Sequence, residues 1–341
     1  MDQLAQFVKV LEKYFTNLTN ITISDVRSIN EGWETEIHLF TMQAYDQIGQ
    51  WIQKRLVSRG YFGRSAEQKA GGEFKVMNYL AQVGYPVPKV FFSDVEDGLL
   101  GKPVLVMEQI DGQMLGSFLL SNPQKLEDYL RCFVRLYHSL HALPWGPIAQ
   151  HNAQLSTLNS KSFVFSKIKN YTKLAREHQA LTLEPLLSWL RGRLDKIQNL
   201  DLSLLHKDYH PNNLLITPEE ELFVIDWGNV EVGDYRFDLA WTTMLLLPEP
   251  FPQLNKRITQ LYEEFQGHPI SDLAYFQVLA GVKRLLEGIR FIQNKSDMNP
   301  GALAKIKESL THFKSVSDHC FETAGLEGAS FALFLEEIFN S

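Results

Sequence analysis

The chain has 341 residues, of which 45% are hydrophobic and 21% charged, proportions that exclude collagen-like and disordered classes and supply a large core. Lysine plus arginine total 33 against 40 aspartate plus glutamate, so the net charge of -7 argues against a general nucleic-acid or anionic-membrane surface. The two cysteines, Cys132 and Cys320, lie far apart in no metal-ligand spacing, which argues against a disulfide framework or zinc site and favours a reducing compartment. At about 100–200 residues per domain the length implies two domains or two lobes. The first residues carry an acid where a signal peptide wants positive charge, and no apolar run reaches 18 residues, so the expected address is cytoplasmic, with no membrane or nucleic-acid partner.

Leu4, Phe7, Val8, Leu11 and Phe15 share one face of a helix expected over 2–18. From Ile23 the period changes, and 35–40 and 51–57 read as strands about a polar turn at 46–49. Phe74, Met77, Leu80 and Ala81 mark a second helix, stopped by Gly84, Pro86 and Pro88. Strands are expected at 89–93 and 104–108, and the turn at Asp111-Gly112 marks the boundary between an N-terminal lobe, 1–110, and a C-terminal lobe, 111–341. Leu126, Leu130, Phe133, Val134, Tyr137 and Leu140 then form a clear helical stripe. Further helices are expected at 160–197, 234–246, 252–266, 271–294 and 300–335, so the fold class is α+β with a largely helical second lobe.

One segment, 204–228, interrupts this helical pattern. It reads Leu205-His206-Lys207-Asp208-Tyr209-His210-Pro211-Asn212-Asn213, followed by short strands at 214–216 and 222–225 and then Asp226-Trp227-Gly228. Pro211 keeps the loop from becoming helix. A hairpin joining the two strands returns the chain to its start, so Asp226 lies near Asn213, with Asp208 as a second carboxylate. Oxygen-only ligation by a few side chains, with room for water and phosphate oxygens, is what magnesium prefers. A lone Asp-x-x-x-x-Asn is usually turn chemistry; the His-x-Asp prefix, the strand pair and the Asp-Trp-Gly ending together make the functional reading the stronger one.

These residues resemble the aminoglycoside phosphotransferase and choline kinase family of small-molecule kinases, which have a protein-kinase-like fold with a small sheet-bearing N-terminal lobe and a large helical C-terminal lobe. The signature His-x-Asp-x-x-x-x-Asn matches His206, Asp208 and Asn213, and the downstream aspartate matches Asp226. Gly233-Asp234-Tyr235-Arg236-Phe237-Asp238-Leu239-Ala240 matches a second family segment. The resemblance implies that Asp208 is the catalytic base or orienting carboxylate for an acceptor hydroxyl. It implies that Asn213 and Asp226 hold Mg2+ on the phosphates of ATP. His206 and Asp238 are then loop supports. In the N-terminal lobe the resemblance makes Lys54 the strand residue on the α- and β-phosphates, with Arg55 as the alternative. Ile52, on the face of Lys54, lines the adenine pocket, and Glu73 is the helix partner of Lys54. Residues 28–35 take the phosphate-covering hairpin position with one glycine, Gly32, and the backbone of Glu108 to Ile110 takes the adenine edge.

The implied function is an ATP- and magnesium-dependent phosphotransferase acting on the hydroxyl of a small molecule, such as an amino alcohol, an aminoglycoside-like compound or a sugar-like compound. A protein kinase is the first alternative; against it, Lys207 replaces the arginine of His-Arg-Asp and no Ala-Pro-Glu follows. A catalytically inactive nucleotide-binding scaffold is the second; against it, all the acidic positions are filled. His138 and His141 stand one helical turn apart without a third ligand, a spacing better read as packing than as a metal site. Glu249, Glu263, Glu264, Glu287 and Asp297 are candidates to read a cationic amine, or are surface charges.

Overall fold

The computed structural model describes residues 3–29, 35–63, 65–95, 101–149, 159–247, 253–293 and 300–340. In chain order these form α1 (Gln3–Tyr14), β1 (Leu18–Ile29), β2 (Thr35–Asp46), β3 (Trp51–Tyr61), α2 (Ala66–Gln82), β4 (Val90–Asp94), β5 (Val104–Glu108), β6 (Gln113–Met114) and α3 (Leu115–Ser121). There follow α4 (Leu126–His141), α5 (Gly146–Ala149), α6 (Ser160–Glu177), α7 (Glu184–Arg191), β7 (Ser203–Leu205), β8 (Leu214–Ile216), β9 (Leu222–Val224) and β10 (Glu231–Gly233). The chain closes with α8 (Tyr235–Leu245), α9 (Leu254–Gln266), α10 (Leu273–Gln293), α11 (Pro300–Ala324) and α12 (Ala329–Asn340).

By packing, the chain divides into one unit of Met1–Pro123 with Pro211–Val230, and another of Gln124–His210 with Glu231–Ser341. The expected boundary lies between 110 and 111; by packing, the hairpin segment 211–230 belongs with the first unit.

The first unit is built on an antiparallel sheet of order β1-β2-β3-β5-β4. One face carries α1, whose Val10 and Leu11 are fully buried with Phe40, Met42, Leu56, Val104 and Val106. In β3 the period of two sends Ile52, Lys54 and Leu56 to one face and Arg55, Val57 and Arg59 to the other. Ile52 packs into the α1 core. The expectation that Ile52 faces adenine is therefore corrected: its face of β3 is the one that α1 covers. A second, small sheet of order β6-β8-β9 carries the hairpin at the end of this unit.

The second unit is helical apart from the pair β7 and β10. Its core gathers Phe133, Tyr137, Leu140, Leu204, Phe237, Trp241, Phe276, Leu279 and Val316, all buried. Two helices expected as continuous are broken. Between α6 and α7, Gln179 takes a left-handed φ of 54°, and Pro185 then occupies the first turn of α7. Gly325, at φ 66°, separates α11 from α12. Both cysteines are free thiols. Among the described residues no helix is long and apolar enough to cross a membrane.

Candidate active site

Asp208 stands in a loop of the second unit whose backbone is pinned by another carboxylate. Asp238, fully buried in the first turn of α8, accepts hydrogen bonds from the backbone N–H groups of His206 and Lys207, each at 2.7 Å. Its Oδ2 also lies 3.2 Å from His141 Nε2. Lys207 is held at φ 65°, a conformation that disfavours a side chain and persists where surrounding bonds over-determine it. His206 is fully buried, its ring edge-on to Tyr209 at 5.7 Å. Tyr209 is itself anchored by its hydroxyl donating to Phe133 O at 2.8 Å. Asp208 is partly exposed, with Oδ1 3.7 Å from His210 Nε2. The expected bracing roles of Asp238 and His206 thus have physical content: they fix the loop without touching solvent.

The glycine–aspartate segment serves the same purpose. A Cβ on Gly233 would lie 2.4 Å from Phe163 Cε2, so only glycine fits between α6 and β7. Asp234 caps α8 by accepting from Arg236 N–H at 3.0 Å, and its carboxylate holds the buried Arg236 guanidinium at 2.7 Å. His141, read from its spacing as packing, has both ring nitrogens engaged, with Tyr262 OH at 2.8 Å and with Asp238. Among the described residues no group of three or more His, Cys, Asp or Glu could hold a metal ion.

In the first unit the hairpin works as its spacing implies. Asn213 is buried in a short turn, Leu214 pairs with Val224, and Ile225 N–H donates to Asn213 O at 2.9 Å, which sets Asp226 beside the Asn213 end of the hairpin. Val224 N–H donates to Pro86 O at 2.8 Å, and Trp227 Nε1 donates back to Val224 O at 2.9 Å. Asp226 takes a left-handed φ of 65°, tolerable for aspartate and a recurrent form of strain at functional sites.

Asp226 does not stand alone. Arg59 Nη2 donates to Asp226 Oδ1 at 2.7 Å while Nη1 donates to Glu73 Oε1 at 2.9 Å. Tyr61 OH donates to Glu73 Oε2 at 2.6 Å. Burial pushes the Glu73 carboxyl above its usual range, opposed by the Arg59 charge and the Tyr61 bond. The two carboxylates in turn hold Arg59 firmly in its charged form, against the cost of its own burial.

This geometry corrects the expected Lys54–Glu73 pair: the partner of Glu73 is Arg59. Lys54 lies on the opposite face of β3, its Nζ 5.7 Å from the Phe91 ring centroid. Arg55, the alternative, pairs with Asp111 at 3.2 Å. The sequence reading ended β3 at Val57, and so never reached Arg59; the signal was the continuing strand pattern, in which Arg59 follows Arg55 and Val57 on one face. At the end of β5, Glu108 N–H donates to Lys89 O at 2.9 Å and Gln109 N–H to Arg55 O at 3.0 Å. Ile110 follows directly. The hairpin expected at 28–35 falls largely outside the described residues, as do Glu249 and Asp297.

Solved structures share this architecture. A candidate aminoglycoside phosphotransferase of Ralstonia eutropha JMP134 superposes with a TM-score of 0.70 at 17% identity, over 94% of this chain and 98% of that one. Aminoglycoside 2'-phosphotransferase IIIa in a GDP complex gives 0.62 at 18% identity, over 94% and 99%. Spectinomycin phosphotransferase with ADP and spectinomycin gives 0.57 at 16% identity, over 94% and 98%. The fold is thus the protein-kinase-like fold of the aminoglycoside phosphotransferases. By sequence, mouse acyl-CoA dehydrogenase family member 10 is 27% identical over 194 residues, 53% of this chain and 17% of that protein. Human acyl-CoA dehydrogenase family member 11 is 26% identical over 203 residues, 58% and 25%. The chain therefore matches a quarter or less of these relatives' length. The model of the phosphotransferase enzyme family (APH) matches residues 26–273, most of the chain and every motif described above. The chain belongs to the phosphotransferase enzyme family.

Proposed function

We propose that the chain transfers the γ-phosphoryl group of ATP, with magnesium, to a hydroxyl of a small molecule in the cytoplasm. The observation that carries this reading is the Arg59 bridge: one largely buried guanidinium joins Glu73 to Asp226, whose neighbour Ile225 is hydrogen-bonded to the Asn213 backbone across the hairpin. A basic residue paired with a helix glutamate, beside an aspartate free to hold magnesium, is the arrangement phosphoryl transfer uses to grip a triphosphate.

The donor set suits magnesium. Asp226 and Asn213 offer a carboxylate and an amide oxygen, and Asp226 Oδ2 accepts no hydrogen bond among the described residues while Oδ1 is given to Arg59. Bound magnesium supplies charge neutralisation on phosphate oxygens. Arg59 takes the role first given to Lys54, its charge held by Glu73 and Asp226 and its remaining N–H groups turned to the phosphates. With Glu108 N–H spent on Lys89, the adenine edge meets the backbone of Ile110. Asp208, on its braced loop, orients the acceptor hydroxyl and takes its proton as the new oxygen–phosphorus bond forms and the β–γ bridging bond breaks, releasing ADP. Two tied-down backbone N–H groups next to Asp208 keep its approach fixed, which is where positioning gains its rate advantage.

The test is Asp208→Ala. Turnover of ATP with any accepted alcohol falls by three orders of magnitude or more while magnesium-dependent ATP binding persists; normal turnover in that variant sinks the assignment.

A further inference from the structure

The helical unit of Asp208 also carries a group of half-buried cations that the chemistry above does not use. Lys283 and Arg284 are consecutive on α10. Lys283 Nζ stands 3.3 Å from the Trp241 ring centroid on α8 and 3.4 Å from Glu287. Arg284 Nε donates to His312 Nε2 on α11 at 3.1 Å, and its guanidinium carbon lies 5.1 Å from the Phe313 ring. Burial and the Arg284 charge push His312 down to about 4, so it accepts that bond as a neutral ring. Arg284 Nη1 comes no closer than 3.9 Å to Glu287, and neither terminal nitrogen makes a hydrogen bond among the described residues. Lys167 on α6 and Lys207 of the Asp208 loop share a single carboxylate, Glu231, at 2.7 and 2.9 Å.

Among the described residues the balance is four cations against two carboxylates, Glu231 and Glu287, plus Asp208, whose charge reaches Arg284. Burial depresses Lys283 to about 8, the mark of an ammonium short of counter-charge. Desolvated cations with spare donors are costly unless an anion meets them. Of the acids that could have read an amine, the three among the described residues are already spent. Glu263 Oε1 accepts from Ile270 N–H at 2.9 Å, Glu264 pairs with Arg131 and Arg257 at 3.0 Å each, and Glu287 faces Lys283 and Arg284.

We propose that the acceptor alcohol carries an anionic group, a carboxylate or a phosphate ester, held by the Arg284 fork and Lys283 beside Trp241 and Phe313. This rests on the phosphotransferase reading, and gives the site the opposite charge preference from one built to bind a cationic amine. An Arg fork matches either anion in two-point geometry. Asp208 then meets the hydroxyl at the other end of a molecule already tethered by charge.

The experiment uses the full chain with magnesium and γ-labelled ATP. Deproteinised cell extract is divided into pools retained by anion exchange, retained by cation exchange, and unretained, with choline and kanamycin as defined cationic probes. Label is expected to move to a compound of the anion-exchange pool. Phosphatase treatment of that pool beforehand removes a phosphate-ester acceptor and spares a carboxylate one. Arg284→Gln raises the KM for the labelled compound at least tenfold, while Arg284→Lys, which keeps the charge, stays within about threefold. Labelling of choline, kanamycin, the cation-exchange pool or the unretained pool alone overturns the proposal, as does an unchanged KM in Arg284→Gln. Failure to bind ATP with magnesium by calorimetry would instead overturn the phosphotransferase reading beneath it.

Discussion

Replacing Arg59 with methionine removes the guanidinium that joins Glu73 to Asp226 and keeps most of the apolar stem. The Glu73 side chain is 1% exposed, so its carboxylate is left in a dry site, whereas the Asp226 side chain is 34% exposed and water can replace its partner. Breaking a buried pair on one side costs about 3–5 kcal/mol. Tyr61 OH still donates to Glu73, which retains part of the compensation and sets the expected loss near the lower end, about 3 kcal/mol at pH 8. The loss depends on pH with a definite sign. Without Arg59, burial raises the Glu73 pKa further above its ordinary value of 4.5, so the folded state binds a proton that the unfolded state has released. Stability then falls as pH rises from about 4.5 through the raised folded value, and the penalty is smaller at pH 5 than at pH 8. Urea midpoints by circular dichroism at the two pH values measure it. Adding Glu73→Gln to the Arg59→Met chain recovers about 2 kcal/mol at pH 8, because the orphaned charge is gone. The matching change Lys54→Met costs under about 0.5 kcal/mol and leaves ATP affinity near that of the parent. Losses that are additive and indifferent to pH, or a larger effect from Lys54→Met, would refute the reasoning.

Other outcomes follow from the same geometry. Asp238→Ala leaves the His206 and Lys207 N–H groups buried without their acceptor; at about 1–3 kcal/mol each, the chain loses several kcal/mol and kcat falls with Asp208 still present, measured by thermal melts beside steady-state kinetics. Gly281→Ala drives a methyl to 2.0 Å from Cys320 Sγ between α10 and α11, and is expected to cost about 1–3 kcal/mol in denaturant titrations without a change in KM for ATP. Lys283 loses its proton through about pH 8, facing Glu287 on its own helix, Trp241 on α8, Lys167 on α6 and Lys207 of the loop. The KM for an anionic acceptor therefore rises above pH 8, and a KM–pH profile of Lys283→Met, flat through that range, checks the origin.

The parts of the site that are local in sequence were legible, and those made by tertiary parity were not. Asn213 and Asp226 stand at the two ends of one hairpin, where strand length and turn spacing bring the chain back to its start. The ends of β5 and α4 matched their apolar patterns to within a residue. Arg59 was missed because strand β3 was read as ending at Val57, before the residues that face α2, and because Lys54 looked like the more typical phosphate ligand. A strand alone does not reveal which of its faces a helix will cover; α1, packed on the Ile52 and Leu56 face, leaves Arg59 on the other face to meet Glu73 of α2. The break between α6 and α7 escaped for a related reason: Leu181 and Leu183 continue the apolar period across a backbone reversal at Gln179 that only the φ angle discloses. Arg284 of α10 and His312 of α11 come together from positions 28 residues apart, invisible to any local motif.

The central claim is that Asp226, with Arg59 and Asn213, forms a magnesium-dependent triphosphate site. Isothermal titration of ATP, with and without magnesium, into the parent chain, Asp226→Ala and Asp208→Ala tests it most directly. Binding is expected for the parent and for Asp208→Ala only with magnesium present, and none above background for Asp226→Ala. Equal binding with and without magnesium, or parent-like binding by Asp226→Ala, would contradict it.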